Sequence, residues 1–204
     1  MGQLINLGGD ERGYLATPEV GAGPGLVVIH EHGALDAHIE DVCDRFAGEG
    51  FSALALDSDE AMGHLGAAVE YLRSSQCVRG DGLGVVGFGR GAGLALTLAA
   101  QHPDDIDACV AFYPLTPSEP AQTNRTVLDA PVQGHFAEQD EVVSPDEVRR
   151  LEAALNAEGK DTDFHFYAGA GHGFFDDTRP EAYEGSAAAL AWIRTLEFLR
   201  AKLG

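Results

Sequence analysis

The chain predicts an α/β fold in which a mostly parallel central sheet carries helices on both faces, as one domain over residues 1–204. Three observations predict it. Short β-branched or apolar runs alternate with segments of helical periodicity, the order of repeated strand–helix–strand units. The run Leu26-Val27-Val28-Ile29-His30-Glu31 is apolar without alternation, as a strand covered on both sides requires. No internal repeat, low-complexity tract or linker divides the 204 residues.

Each element follows in turn. Residues 4–17 read as one or two weak strands around the Gly8-Gly9-Asp10 turn. After the strand 26–31, Ile39, Val42, Cys43 and Phe46 recur at helical spacing between Ala37 and Glu49, and Gly50 stops that helix. Phe51–Asp57 is a strand, and residues 60–75 form a helix with Leu65, Ala68, Val69 and Leu72 on one face. Leu83–Phe88 is a strand that runs without a gap into a helix from Arg90 to Gln101. Ala108–Tyr113 is a strand ended by Pro114, and residues 115–130, with Pro117 and Pro120, form a loop or minimal lid. A strand at 131–137, a helix at 144–158, a strand at 163–168 and a long helix at 181–202 complete the chain.

Composition narrows the partners. Against 13 Lys and Arg stand 33 Asp and Glu, a formal net charge of −20. That balance repels phosphate backbones and anionic lipid headgroups, so neither a nucleic acid nor a membrane surface is expected as a partner. No apolar run reaches the roughly 18 residues of a membrane span, and no signal segment opens the chain. Three widely spaced cysteines, Cys43, Cys77 and Cys109, suit neither a disulfide framework nor a zinc cluster. A cytoplasmic protein, monomer or homodimer, acting on a small molecule without a cofactor, is the expectation.

The most informative segment is Gly87-Phe88-Gly89-Arg90-Gly91, at a strand-to-helix junction. A nucleophile elbow needs small residues two before and two after its turn residue, because strand and helix backbones nearly touch there. Gly87 and Gly91 meet that demand. The turn position, where a hydrolase carries Ser or Cys, is Gly89, which relaxes a positive φ but offers no attacking atom. The same residues with Ala92 also fit a dinucleotide loop, G-x-G-x-x-A. That motif opens a first strand–helix unit and wants an acid ending the next strand, whereas this loop lies in mid-sheet and the next strand ends in Phe112-Tyr113-Pro114.

Asp140 follows the strand 131–137 and precedes a helix, the place of an acid that orients a histidine. His172 lies in the glycine-rich loop Gly169-Ala170-Gly171-His172-Gly173-Phe174 after the last strand. Elbow, acid and histidine stand in the chain order of α/β-hydrolase triads. His30-Glu31-His32-Gly33 leaves its strand at the edge where α/β active sites assemble. Two imidazoles and one carboxylate permit a metal but are too few ligands to specify one, so no metal is expected. Backbone N–H groups of His32 and Arg90 are candidates for an oxyanion hole. None of the three cysteines falls at the carboxyl edge of the sheet, so all read as core or turn residues.

Together these residues resemble the dienelactone hydrolase family of the α/β-hydrolase superfamily, over about residues 10–201. Val27–Glu31 followed by His38-Ile39-Glu40-Asp41-Val42 is similar to the family's strand and first helix. The resemblance implies an α/β-hydrolase fold, with Glu31 as the active-site glutamate, Asp140 and His172 as triad acid and base, and Tyr113 and Phe174, with His30, around the pocket. The family's nucleophile is replaced by Gly89. Four residues after the histidine, Asp176 stands where dienelactone-cleaving members carry an arginine, which counts against an anionic substrate. The stretch between Asp57 and the next helix is short, which leaves the pocket open on that side.

Three functions remain. The first is hydrolysis of a small ester or lactone without a covalent intermediate. In it His172, oriented by Asp140, acts on a water in the space vacated at Gly89, and Glu31 or His32 assists. The second is a cyclase, lyase or isomerase in which the same pair moves a proton. The third is a small-molecule-binding homologue without turnover.

Overall fold

The computed structural model describes residues 2–8, 11–31, 35–57, 61–114 and 128–204, the side chains of 61–63 excepted. Its elements are β1 (Gln3–Gly8), β2 (Glu11–Ala16), β3 (Gly23–Ile29), α1 (Ala37–Gly48), β4 (Ser52–Leu56), α2 (Ala61–Ser74) and β5 (Val78–Phe88). They continue with α3 (Arg90–Gln101), β6 (Ile106–Phe112), β7 (Val132–Ala137), α4 (Pro145–Ala157), β8 (Thr162–Tyr167) and α5 (Gly185–Leu203). The eight strands form one sheet in the order β1-β2-β4-β3-β5-β6-β7-β8. β1 and β2 pair antiparallel, as do β2 and β4, and every later pairing is parallel.

The alternation of a strand's side chains sends successive residues to opposite faces, and the core divides accordingly. Leu26 and Val28 of β3, Val86 of β5 and Val110 of β6 meet Ile39, Val42 and Phe46 of α1 and Leu196 and Leu199 of α5. Val27 and Ile29, Val85 and Cys109 face the other way, onto Leu65, Val69 and Leu72 of α2 and Ala95 and Leu98 of α3. Each such fully buried Val, Leu or Ile contributes about 1.5–3 kcal/mol relative to exposure, so the two layers together hold the strands in register.

Caps set the helix starts. The Asp36 carboxylate accepts the Ile39 N–H at 2.9 Å, and Glu184 accepts the Ala187 N–H at 2.7 Å, each satisfying a donor that the first helical turn leaves open. Pro145, Asp146 and Glu147 open α4, where proline lacks only an N–H that has no helical partner and the acids face the positive helix end.

Several boundaries differ from the expected ones, among them the starts of β3 at Gly23 and β6 at Ile106. β5 begins at Val78, five residues early; the polar Arg79-Gly80-Asp81-Gly82 segment carries no apolar signature, yet Val78 pairs with Gly23 across an irregularity in the β3 register. β3 ends at Ile29, so His30 and Glu31 lie beyond the strand. α5 starts at Gly185, because Ala182 and Tyr183 close turns onto Arg179 before the Glu184 cap. Residues 58–60, and 115–127 of the expected minimal lid, lie outside the described residues.

Candidate functional site

The junction of β5 and α3 is built from close backbone contacts. A Cβ on Gly87 would lie 2.3 Å from the Gly91 carbonyl oxygen, and one on Gly91 would lie 2.4 Å from the carbonyl oxygens of Ile29 and His30. Only glycine fits at either place. Between them Gly89 takes φ 51° and ψ −117° and caps the start of α3, and its N–H donates to the Phe112 carbonyl at 2.9 Å. A positive φ of this kind strains any residue with a Cβ.

Strand register then delivers the next group. β3 and β5 are parallel neighbours with Ile29 beside Gly87, so the chain two residues further on brings Glu31 to Gly89. An ideal Cβ on Gly89 would fall 2.5 Å from Cδ and Cγ of Glu31 and 2.6 Å from Oε1. The space expected to hold a water is therefore filled by the Glu31 side chain, a correction that sequence spacing could not supply.

Asp140 and His172 meet as expected. One oxygen of Asp140 accepts the Val142 and Val143 N–H groups at 2.8 and 2.9 Å, and the other pairs with His172 Nδ1 at 2.9 Å. Burial pushes the Asp140 carboxyl up, but the bonds from His172 and the two amides outweigh it and hold the group below its ordinary value. On the far side of the ring, His172 Nε2 faces Glu31 Oε1 at 3.7 Å and makes no hydrogen bond among the described residues. Burial lowers the His172 pKa, but the Asp140 bond and the two carboxylates overcome it and raise the imidazole to about 9. At neutral pH the site holds an imidazolium between two carboxylates.

Arg179 was not anticipated. Its Nη1 stands 3.6 Å from Glu31 Oε2 and its Nε 4.0 Å from Asp176. Asp176 occupies the position four after the histidine, and Arg179, three residues later, brings a guanidinium into contact with Glu31. A turn from Asp176 to Arg179, closed by the Arg179 N–H to Asp176 carbonyl bond, carries it there. The only signal in the sequence was an arginine shortly after His172.

The remaining expected residues separate. Tyr113 is 1% exposed, sits edge-on to His172 with ring centroids 5.2 Å apart, and takes φ 35°, the one positive φ outside glycine among the described residues. Its N–H donates to the His135 carbonyl at 2.8 Å. Burial, and then the charges of Glu31 and Asp176, push its phenol well above the usual range, so it stays protonated. Phe174 is fully buried against Tyr113 and Tyr167; it backs the wall of the site and does not line it. His30 is half-buried, with its carbonyl against Gly91. Arg90 is the first residue of α3, with its side chain exposed and its N–H among those a helix start leaves without a helical partner. His32 lies outside the described residues.

His38, 7% exposed in α1, places Nδ1 3.3 Å from Asp177 and 3.6 Å from Asp176. Ligand atoms of these three residues lie within 4.8 Å of one another. Their hydrogen bonding already ties α1 to the turn that carries Arg179. Cys43 and Cys109 are fully buried, and burial raises both thiols, that of Cys109 to about 12, so neither is a thiolate at neutral pH. No helix among the described residues is long and apolar enough to cross a membrane.

An eight-stranded, mostly parallel sheet with a glycine-framed elbow and a carboxylate–imidazole pair at the carboxyl ends of its strands defines a hydrolase-type α/β protein. The dienelactone hydrolase family matches residues 12–58 and 55–203, and the chain belongs to that family. A protein of Aquifex aeolicus, provisionally named a carboxymethylenebutenolidase, is 30% identical over the full length of both chains. A Bradyrhizobium protein, provisionally named a lactonase of an oxofuranylidene propanoate, is 31% identical over 96% of this chain and 92% of its own. The crystal structure of a Klebsiella pneumoniae protein, provisionally named a dienelactone hydrolase, superposes with a TM-score of 0.87, covering 98% of each chain at 22% identity.

Proposed function

We propose that the chain is a hydrolase of small lactones or esters that works without an acyl-enzyme at the elbow, with Gly89 in the place of the family's nucleophile. The observation that carries this reading is the array Asp140–His172–Glu31 converging on Gly89. Asp140 fixes the imidazole through Nδ1, so Nε2 is the atom that exchanges a proton. A water beside Nε2 and the Glu31 carboxylate gives up its proton as it attacks the carbonyl carbon, and the α3 N-terminus, at the Arg90 N–H, faces the developing oxyanion. The names of the relatives support lactones as the substrates. The Arg179 guanidinium is already matched by Glu31, Asp176 and Glu181, which with the net charge favours a neutral lactone.

His172 acts as a base only after losing its proton. The rate on a neutral lactone such as dihydrocoumarin therefore climbs with pH and levels off above about 9. His172→Ala lowers kcat/KM by about 100- to 10,000-fold, the range of a positioned acid–base group. Full lactone hydrolysis by His172→Ala would overturn this reading.

A further inference from the structure

The reading above leaves Glu31 as an assistant, although its position is that of an attacking group. An ideal Cβ on Gly89 would come within 2.6 Å of Oε1, so the carboxylate stands where the side chain of a nucleophilic residue 89 would start. The other oxygen lies 3.6 Å from Arg179 Nη1, with Oε1 turned to Gly89. At 15% exposure the side chain is reachable from outside. Facing it at 3.7 Å is His172 Nε2, whose partner Asp140 holds the ring in place from behind.

A carboxylate is a poor acyl-transfer nucleophile. The tetrahedral adduct it forms with an ester expels the carboxylate, a far better leaving group than an alkoxide, and returns to the start. At a strained saturated carbon this reversal does not arise, because displacement is a single step. Attack comes from the side opposite the ring bond that breaks, and the leaving oxygen stays on the neighbouring carbon, so rotation about the carbon–carbon bond brings it back to an acid only a few ångström from the nucleophile. Turned gauche to the new ester bond, the released oxygen stands about 3 Å from Oε1 and about 2.8 Å from the acid, and the 3.7 Å separation of Oε1 and Nε2 closes that triangle. A larger or charged leaving group would need neither the acid nor its closeness.

We infer that the same site opens small epoxides, with Glu31 Oε1 attacking a ring carbon and the His172 Nε2–H protonating the oxygen that is released. This rests on the proposed function only in taking His172 and Gly89 as the reacting centre. The first step forms the bond from Oε1 to carbon, breaks the ring carbon–oxygen bond, and leaves a hydroxyalkyl ester on Glu31 with a neutral His172. In the second step His172 takes a proton from water and the hydroxide attacks the Glu31 carbonyl carbon. The expelled alkoxide then takes the proton of the new carboxyl group. The net reaction is epoxide plus water to diol, with Glu31 and the imidazolium restored. Because the first step uses the protonated imidazole, epoxide opening falls above about pH 9, where lactone hydrolysis reaches its plateau.

The test uses the full chain and styrene oxide in less than one equivalent, in water enriched in oxygen-18. Attack by Glu31 yields an unlabelled diol and leaves the label in the peptide containing Glu31, read by mass spectrometry. In parallel, Glu31→Gln reduces diol formation to the uncatalysed rate. Label in the diol with an unlabelled Glu31 peptide overturns the inference, as does the absence of diol from a wild-type enzyme whose lactone hydrolysis depends on His172. The isotope experiment needs no variant, so a misfolded Glu31→Gln protein does not blunt it. Lactone hydrolysis that survives His172→Ala removes the preceding reading, and the fate of the label at Glu31 decides this one separately.

Discussion

His172 and His135 are both paired through Nδ1, and both arise from the carboxyl-terminal part of the sheet, yet their surroundings drive them in opposite directions. His172 binds the Asp140 carboxylate and faces Glu31, and its pKa rises to about 9. His135, within β7, is fully buried; its Nδ1 pairs with the Tyr167 hydroxyl at 2.7 Å and its Nε2 with Gln133 and Thr195 at 3.1 and 3.0 Å. Burial, and then the neighbouring His165 and Arg194, press its pKa well below the ordinary range, so it is neutral. Neutral partners that satisfy both ring nitrogens make a structural knot. Carboxylates on both sides with one nitrogen left unbonded make a group ready to exchange a proton.

The two histidines therefore separate under mutation. His172→Ala removes activity, as stated above, and leaves the fold in place. His135→Leu does the reverse: it strands the Tyr167, Gln133 and Thr195 polar groups in the core and costs about 2–4 kcal/mol in urea unfolding, while kcat of the folded protein is unchanged. A His135→Leu variant that unfolds like wild type would erase the distinction.

Gly89→Ser tests the elbow itself. The new Cβ must displace the Glu31 carboxylate and adopt φ near 51°, which lowers stability by about 1–3 kcal/mol. The variant gains turnover of 4-nitrophenyl acetate with an initial burst, since a hydroxyl then stands beside His172. A folded Gly89→Ser protein with no gain would argue that the junction lacks the geometry of an elbow.

The pH dependence of stability sharpens the contrast further. His172 is raised when folded, so its contribution is complete below about pH 6.5 and fades as pH climbs through about 9. His135 is lowered when folded, so its contribution is complete above about pH 6.5 and is lost on acidification, as the unfolded imidazole takes up a proton. Against wild type, His172→Gln flattens the alkaline limb of stability against pH and His135→Leu the acid limb, as thermal melts across pH 5–10 would report. The smallest effect is expected for Cys43→Ala, Cys77→Ala and Cys109→Ala, whose activity on lactones stays at the wild-type value because no thiol lies at the site.

Local pattern carried most of the fold into the sequence. The unbroken apolar run at 26–29, the spaced apolar residues of α1 and α2 and the glycine frame at 87–91 each follow from nearest-neighbour sterics or one-faced burial, and the structure reproduces them. Asp140 and His172 were legible because each ends a strand in a fixed chain order. What escaped depends on contacts between distant segments. The filling of the Gly89 space by Glu31 needs the β3–β5 register, the reach of Arg179 needs the turn after Asp176, and the His135 knot joins β7, β8 and α5. Phe174 was placed around the pocket by the family resemblance, whereas packing against Tyr113 and Tyr167 takes it inward.

Parallel alignment of β3 with β5 has one further consequence. It sets the ends of two adjacent strands side by side, so a functional group can migrate from one strand terminus to its neighbour while the peptide scaffold stays as it was. The tight glycine crossing at the end of β5 leaves room for a side chain that follows β3. On such a scaffold a reacting group supplied from the neighbouring strand would change the reaction type without the rebuilding of a loop.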